Sequence, residues 1–208
     1  MKPIAIRLAF FLLLATFPLN ANAAALGALV GLDRCGIGGD VDQNTQITAQ
    51  YGYLAGVQGE VGLAKNIALS LQPRYSTRET KLETFSTTPT EIHLKLDYVS
   101  VPVVVKFRSA SGRTYVAGGL DIGILQKAHL TSGGLDRDVK SYFNDTDLGA
   151  LVGFGVVFPI GSPRITTEVR YVQGVANLAG KTIGELPERF HTYGLQLSAG
   201  VLFPIGGR

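Results

Sequence analysis

The chain has 208 residues, 46% hydrophobic and 17% charged, with one cysteine, no tryptophan and a formal net charge of +3. A lone cysteine excludes an internal disulfide, and so small a charge gives no electrostatic footprint for nucleic acid. Beyond residue 23 no run of 18 apolar residues occurs, so a membrane could be crossed there only by strands.

Residues 1–23 read as a secretory leader. Lys2 and Arg7 make a basic start, Leu8 to Phe17 is an apolar run of ten, and Ala21-Asn22-Ala23 is a small-x-small cleavage site. A membrane anchor is the alternative, but the run is half the ~20 residues a spanning helix needs. Removing 23 residues that carry two bases and no acid leaves 185, and the charge falls from +3 to +1. The expected organisation is a signal peptide over 1–23 and one domain over 24–208.

Period-two alternation then recurs eight times. The expected strands are 26–33, 51–63, 67–79, 94–107, 114–127, 147–158, 165–175 and 191–203. Cys35, beside Gly36, Gly38 and Gly39, is read as a loop thiol. The first, third, fifth and seventh connections have 14 to 19 residues, and the others only three to six. Short turns on one rim and long loops on the other predict an all-β, eight-stranded antiparallel up-and-down barrel. "GVVFPIGSPR" (155–164) resembles "GVLFPIGGR" (200–208), and both strands stop at Phe-Pro. Phe107, Phe158 and Phe203 end three strands that travel the same way. A ring of outward aromatics at one level is what a membrane interface selects.

The two faces differ. One carries Val57, Leu69, Val99, Val103, Leu120, Val152, Phe154, Leu195 and Leu197, uninterrupted by charge between the rims. The other carries Gln58, Glu60, Gln72, Arg74, Lys106, Asp121, Asp147, Glu168, Arg170 and Gln196, with many glycines. Apolar-out and charged-in is the polarity of a transmembrane barrel, and eight strands leave a filled interior. A one-residue slip of a strand would aim Arg74, Lys106 or Arg170 at lipid, at about 2–4 kcal/mol each near the midplane.

The interior charges Glu60, Arg74, Asp121, Glu168 and Arg170 are expected to form one ionic layer, with Lys106 lower, near the mouth. Pairing Phe158 with Ile165 sets Gly153 opposite Arg170 and Gly155 opposite Glu168. Pairing Phe107 with Thr114 sets Gly123 opposite Tyr98. A three-residue turn, Ala64-Lys65-Asn66, keeps Glu60 and Arg74 on one face, with Asn66 suited to left-handed backbone. Pro73 and Pro102 require a bulge, or a carbonyl answered by an interior group.

The segments "LQPRYSTRE" (71–79), "LDYVSVPVVVKF" (96–107), "YVAGGLDIGIL" (115–125), "DLGALVGFGV" (147–156), "EVRYVQGVANL" (168–178) and "LQLSAGVLFPI" (195–205) together resemble the outer membrane protein beta-barrel domain family. That family includes the PorT-like proteins of Gram-negative outer membranes. The resemblance implies an eight-stranded barrel in the bacterial outer membrane. Such barrels commonly end on an aromatic residue, whereas five residues follow Phe203 here.

No catalytic, cofactor or metal site emerges. His93, His129 and His191 lie near long-loop ends, with no serine at telling spacing. Asp136, Asp138, Asp145 and Asp147 are spaced irregularly for a cation site, and solvation is the simpler reading. The expected role is therefore structural or interactive, through loops 34–50, 80–93, 128–146 and 176–190. The expected partners are the bilayer and other envelope proteins. A lipid-modifying enzyme or ligand carrier is the alternative, and a soluble lipocalin-like barrel the rival fold.

Overall fold

The computed structural model describes residues 24–39, 45–84, 90–176, 178 and 190–205. The expected leader lies outside these residues. Among the described residues ten strands occur: β1 (Ala24–Gly39), β2 (Thr45–Ala64), β3 (Ile67–Leu71), β4 (Arg74–Thr84), β5 (Thr90–Arg108), β6 (Thr114–Ser132), β7 (Leu135–Asp138), β8 (Thr146–Pro159), β9 (Arg164–Gly174) and β10 (Phe190–Ile205). β3 and β4 are halves of one stave, interrupted at Gln72 and Pro73. β7 pairs only with the upper end of β6. Eight antiparallel staves remain, and β1 pairs with β10 to close the ring.

The stagger of the ring follows from its register. Moving across paired residues from Leu26, the path runs through Gly59, Leu71, Val103, Leu120, Ala150, Gln173 and Tyr193. It returns to β1 at Gly36, ten residues beyond its start. Eight strands with that stagger tilt by about 40°.

Parity sets the two faces. Val30, Val57, Leu120, Val152, Phe154, Val169 and Leu197 point outward and are exposed, whereas Gln58, Glu60, Arg74, Lys106, Asp121, Glu168 and Arg170 are buried inside. Phe107, Phe158 and Phe203 stand exposed at one level above the short turns. A second set of exposed aromatics, Tyr51, Tyr53, Tyr75, Tyr171 and Tyr193, stands toward the other rim. From Phe203 to Tyr193 is ten residues on β10. At a rise of about 3.4 Å per residue and this tilt, Phe203 and Tyr193 lie ~25 Å apart, while Tyr171, six residues from the Phe158 partner Ile165, stands ~16 Å above it.

Several local expectations are corrected. The β2–β3 turn has two residues, Lys65 and Asn66, and the parity change is made by a bulge between Gly62 and Ala64. No described non-glycine residue has positive φ, so Asn66 is not left-handed. Phe107 pairs with Val116, not Thr114. Tyr98 still packs on Gly123, where a Cβ would lie 3.3 Å from its ring. The pairings Phe158–Ile165, Gly153–Arg170 and Gly155–Glu168 are present.

The registers run through both prolines without a bulge. Gln72 N–H donates to Pro102 O at 3.1 Å, and Val57 N–H donates to Pro73 O at 3.0 Å. In each pair the reciprocal bond cannot form, because proline has no N–H. Two adjacent omissions in one stave are tolerated inside a closed ladder.

The long loops are shorter than expected. β1 continues to Gly39, β2 begins at Thr45, β4 reaches Thr84 and β5 begins at Thr90. Cys35 is therefore a buried strand residue, not a loop thiol. Its Sγ lies 3.1 Å from Tyr193 O.

Candidate functional site

The candidate site is the lumen, whose charges are delivered by every second residue of the staves. At the short-turn mouth Glu60 gathers three cations. Lys106 Nζ is 3.1 Å away, Arg164 Nη2 is 3.7 Å away, and Arg108 also pairs with it. Lys106 Nζ sits 4.8 Å from the Tyr115 ring centre, a cation–π contact. Tyr115 O–H donates to Glu168 at 2.7 Å, and Arg170 donates to Glu168 at 2.8 Å and to Gln72 Oε1 at 2.8 Å. Gly155 makes room for this: a Cβ there would lie 2.1 Å from the Tyr115 ring.

Higher up, Arg74 donates to Asp121 at 2.7 Å and to Ser100 at 3.2 Å. Arg78 follows, with Asp147 at 2.5 Å, Asp121 at 3.7 Å and Asp33 at 4.0 Å. It also donates to Thr192 at 3.1 Å and lies 4.6 Å from the centre of the Tyr98 ring. Gln196 donates to Asp33 at 2.9 Å.

The expected single layer is thus a column of stepped pairs. Glu60 meets Lys106, Arg74 meets Asp121, and Glu168 and Arg170 meet each other. The stagger is the reason. Equal distance from the turn rim along tilted strands brings acid and base together only where adjacent registers agree. Sequence reasoning missed Arg78 and Asp33, both buried and central. Alternation carried to the ends of 67–79 and 26–33 would have found them, since Arg78 lies four residues beyond Arg74 and shares its face.

Above the column the lumen turns apolar. Ile37, Leu82, Leu94, Leu96, Tyr98, Leu125, Ala128, Val139, Phe143 and Leu178 pack together there. On the outside of the same stretch stand Glu79, Lys81, Glu83, Glu91, His93, Lys95 and Lys127. Lys81 bridges Glu83 and Glu91 at 2.8 Å each, and Lys95 meets Glu79 at 3.2 Å. Hydrogen bonds from Lys81 and His93 hold the Glu91 carboxyl below the usual range, and those to Glu83 and Glu91 hold Lys81 above its own. His93 bonds Glu91 at 2.7 Å, and His129 bonds Asp136 at 3.2 Å. No histidine, cysteine or carboxylate group suited to a metal occurs among the described residues. Asp147 points into the lumen, away from Asp136, Asp138 and Asp145 of the upper rim.

The family model for the outer membrane protein beta-barrel domain matches residues 18–180. The chain belongs to this family. This outer-membrane barrel is similar in shape to several solved structures. Neisserial surface protein A shares 12% identity over 88% of this chain and 97% of that one, with a TM-score of 0.47. OprG of Pseudomonas aeruginosa shares 11% over 90% and 97%, with a TM-score of 0.49. The outer membrane protease OmpT of Escherichia coli shares 8% over 89% and 98%, with a TM-score of 0.45. No curated protein matches the barrel.

Proposed function

We propose that this outer-membrane barrel is a non-catalytic, plugged cylinder that works through its long-loop rim, by contact with other envelope proteins. One observation carries the reading: the ion pairs are buried in the lumen while the outer belt is bare and apolar. In water that belt would be an exposed patch far larger than soluble proteins carry. In hydrocarbon it needs no cover.

In this placement Phe107, Phe158 and Phe203 mark the inner interface and the tyrosines Tyr51, Tyr53, Tyr75, Tyr171 and Tyr193 the outer one. The ~25 Å from Phe203 to Tyr193 matches the apolar band of such barrels. Glu60, Arg74, Lys106, Asp121, Glu168 and Arg170, with Arg78, Asp33 and Asp147, serve as structural fillers that block conduction. At the upper rim Leu135, Tyr142 and Val175 are exposed apolar side chains and suit a protein partner.

Three measurements test this. Detergent-extracted protein should shift its gel mobility on boiling, and planar bilayers should show no discrete conductance. Stable channels would sink the plugged lumen. Replacing His93, His129 and His191 in turn should leave the lipid A profile of cells unchanged. A change in that profile would favour the enzyme reading.

A further inference from the structure

The buried polar atoms of the lumen that lack a hydrogen-bond partner sort by sign along its length. Toward the long-loop end acceptors predominate, Oδ1 of Asp33, Asp121 and Asp147 and Oε1 of Gln196, beside the hydroxyls of Ser76 and Tyr98 and Arg78 Nε, which is 4.0 Å from an Asp33 oxygen. Toward the short-turn end they are donors: Gln58 Nε2, Arg164 Nε and Arg170 Nη1. Charge follows the same division. The lower lumen holds four cations, Lys106, Arg108, Arg164 and Arg170, against the carboxylates of Glu60 and Glu168.

The surplus of two positive charges sits at the half-open mouth, on Arg108 and Arg164, where water screens it only in part and an anion can answer it. Glu60 alone cannot saturate three cations, since each arginine carries five N–H donors and lysine three. Gln58, 2% exposed, lies two residues from Glu60 on the same inner face. Its Nε2 would be 2.5 Å from a Cβ on Gly200, and Thr166 Oγ1 would be 3.2 Å from it. The absent side chain at Gly200 thus lets the Gln58 amide and the Thr166 hydroxyl pack against the wall there. Access is from the mouth, where the side chains of Arg108 and Arg164 are 21% and 28% exposed while Lys106 is 1%.

We propose that the short-turn mouth of the lumen binds a phosphate-class oxyanion, held by Arg164, Arg108 and Lys106 with Gln58 as a neutral donor. A phosphomonoester brings nearly two negative charges and several acceptor oxygens, which match the surplus and the arginine forks. The source is either free phosphate or a lipid headgroup at the inner interface. Only the periplasmic address of the site rests on the membrane placement proposed above.

The test uses the full barrel refolded in neutral detergent and titrated with inorganic phosphate at low salt. A second arm uses nanodiscs with and without phosphatidic acid, followed by native mass spectrometry. Saturable phosphate binding that weakens with salt identifies a free anion. Retention of phosphatidic acid without phosphate binding identifies a headgroup. Arg164→Gln should weaken either at least tenfold, and Glu60→Gln should strengthen it several-fold by removing the competing carboxylate. Binding in neither arm, or equal binding by wild type and Arg164→Gln, overturns the proposal. Heat-shifted mobility of each variant shows whether the barrel has formed, so lost anion binding with an intact shift leaves the membrane reading standing.

Discussion

Val152 offers the sharpest discrimination between a lipid-facing and a water-facing belt. It stands on β8, 60% exposed, six residues from Phe158 and near the middle of the apolar belt. Val152→Arg places a guanidinium in hydrocarbon and should cost about 2–4 kcal/mol, a roughly 30- to 700-fold shift in the unfolding equilibrium. On a water-facing belt the same change at so exposed a site would move stability by no more than about 0.5 kcal/mol. Ile165→Arg, at the level of Phe158 with which it pairs, is the depth control and should cost about 0–1 kcal/mol. The assay is reversible guanidinium unfolding in lipid vesicles, followed by tyrosine fluorescence and gel mobility, since the chain has no tryptophan. A Val152→Arg variant as stable as wild type, or one no worse than Ile165→Arg, would refute the assignment of that face to lipid.

The lumen gives further tests. Arg74→Met leaves Asp121, whose side chain is 2% exposed, with only Arg78 at 3.7 Å; by vesicle unfolding it should cost up to about 3 kcal/mol, the low end for a broken buried pair, whereas Arg74→Met with Asp121→Leu should recover most of it. Gly155→Ala drives a Cβ to 2.1 Å from the Tyr115 ring and should destabilise by about 1–3 kcal/mol, with the Tyr115–Glu168 bond lost. Cys35, 3% exposed in β1, should resist a maleimide in folded vesicles and react once the barrel is unfolded. Rapid labelling of the folded form would contradict its place in the strand.

Much of the fold was legible because a barrel in lipid writes its polarity into period two. Val57, Leu120, Val152 and Leu197 repeat on one face for the same reason that Gln58, Asp121 and Gln196 repeat on the other. Pairings set by short turns were legible where no bulge intervened, as at Phe158–Ile165. They failed at Phe107, where the partner moved by two residues. No local signal distinguishes a six-residue connection that closes at Thr114 from one that closes deeper. The ionic pairs were not legible as pairs. Lys106 and Glu60 are 46 positions apart, and only the ten-residue stagger decides that they meet while Arg74 goes to Asp121. Arg78 went unseen because it lies where the strand was expected to give way to loop.

The strand ends were misjudged for a reason that says something about the molecule. Above Tyr75 and Val99 the alternation continues with its polarity reversed. Leu82, Leu94 and Leu96 are buried inside, while Glu79, Glu91 and Lys95 stand outside. The lower staves obey the rule of a barrel in hydrocarbon, and their extensions obey the rule of a barrel in water. Register irregularities fall near this boundary, between Ala49 and Leu54 on β2 and at the Asp97–Tyr98 pairing with β6. A bulge absorbs an extra residue without forcing the rest of the strand to the wrong face. Each long strand is therefore held in place twice. A one-residue slip of β5 would turn Lys106 toward lipid and, in the same movement, Leu94 and Leu96 toward water. The two penalties act on one rigid ladder and have the same sign, so neither solvent can stabilise a register that the other rejects.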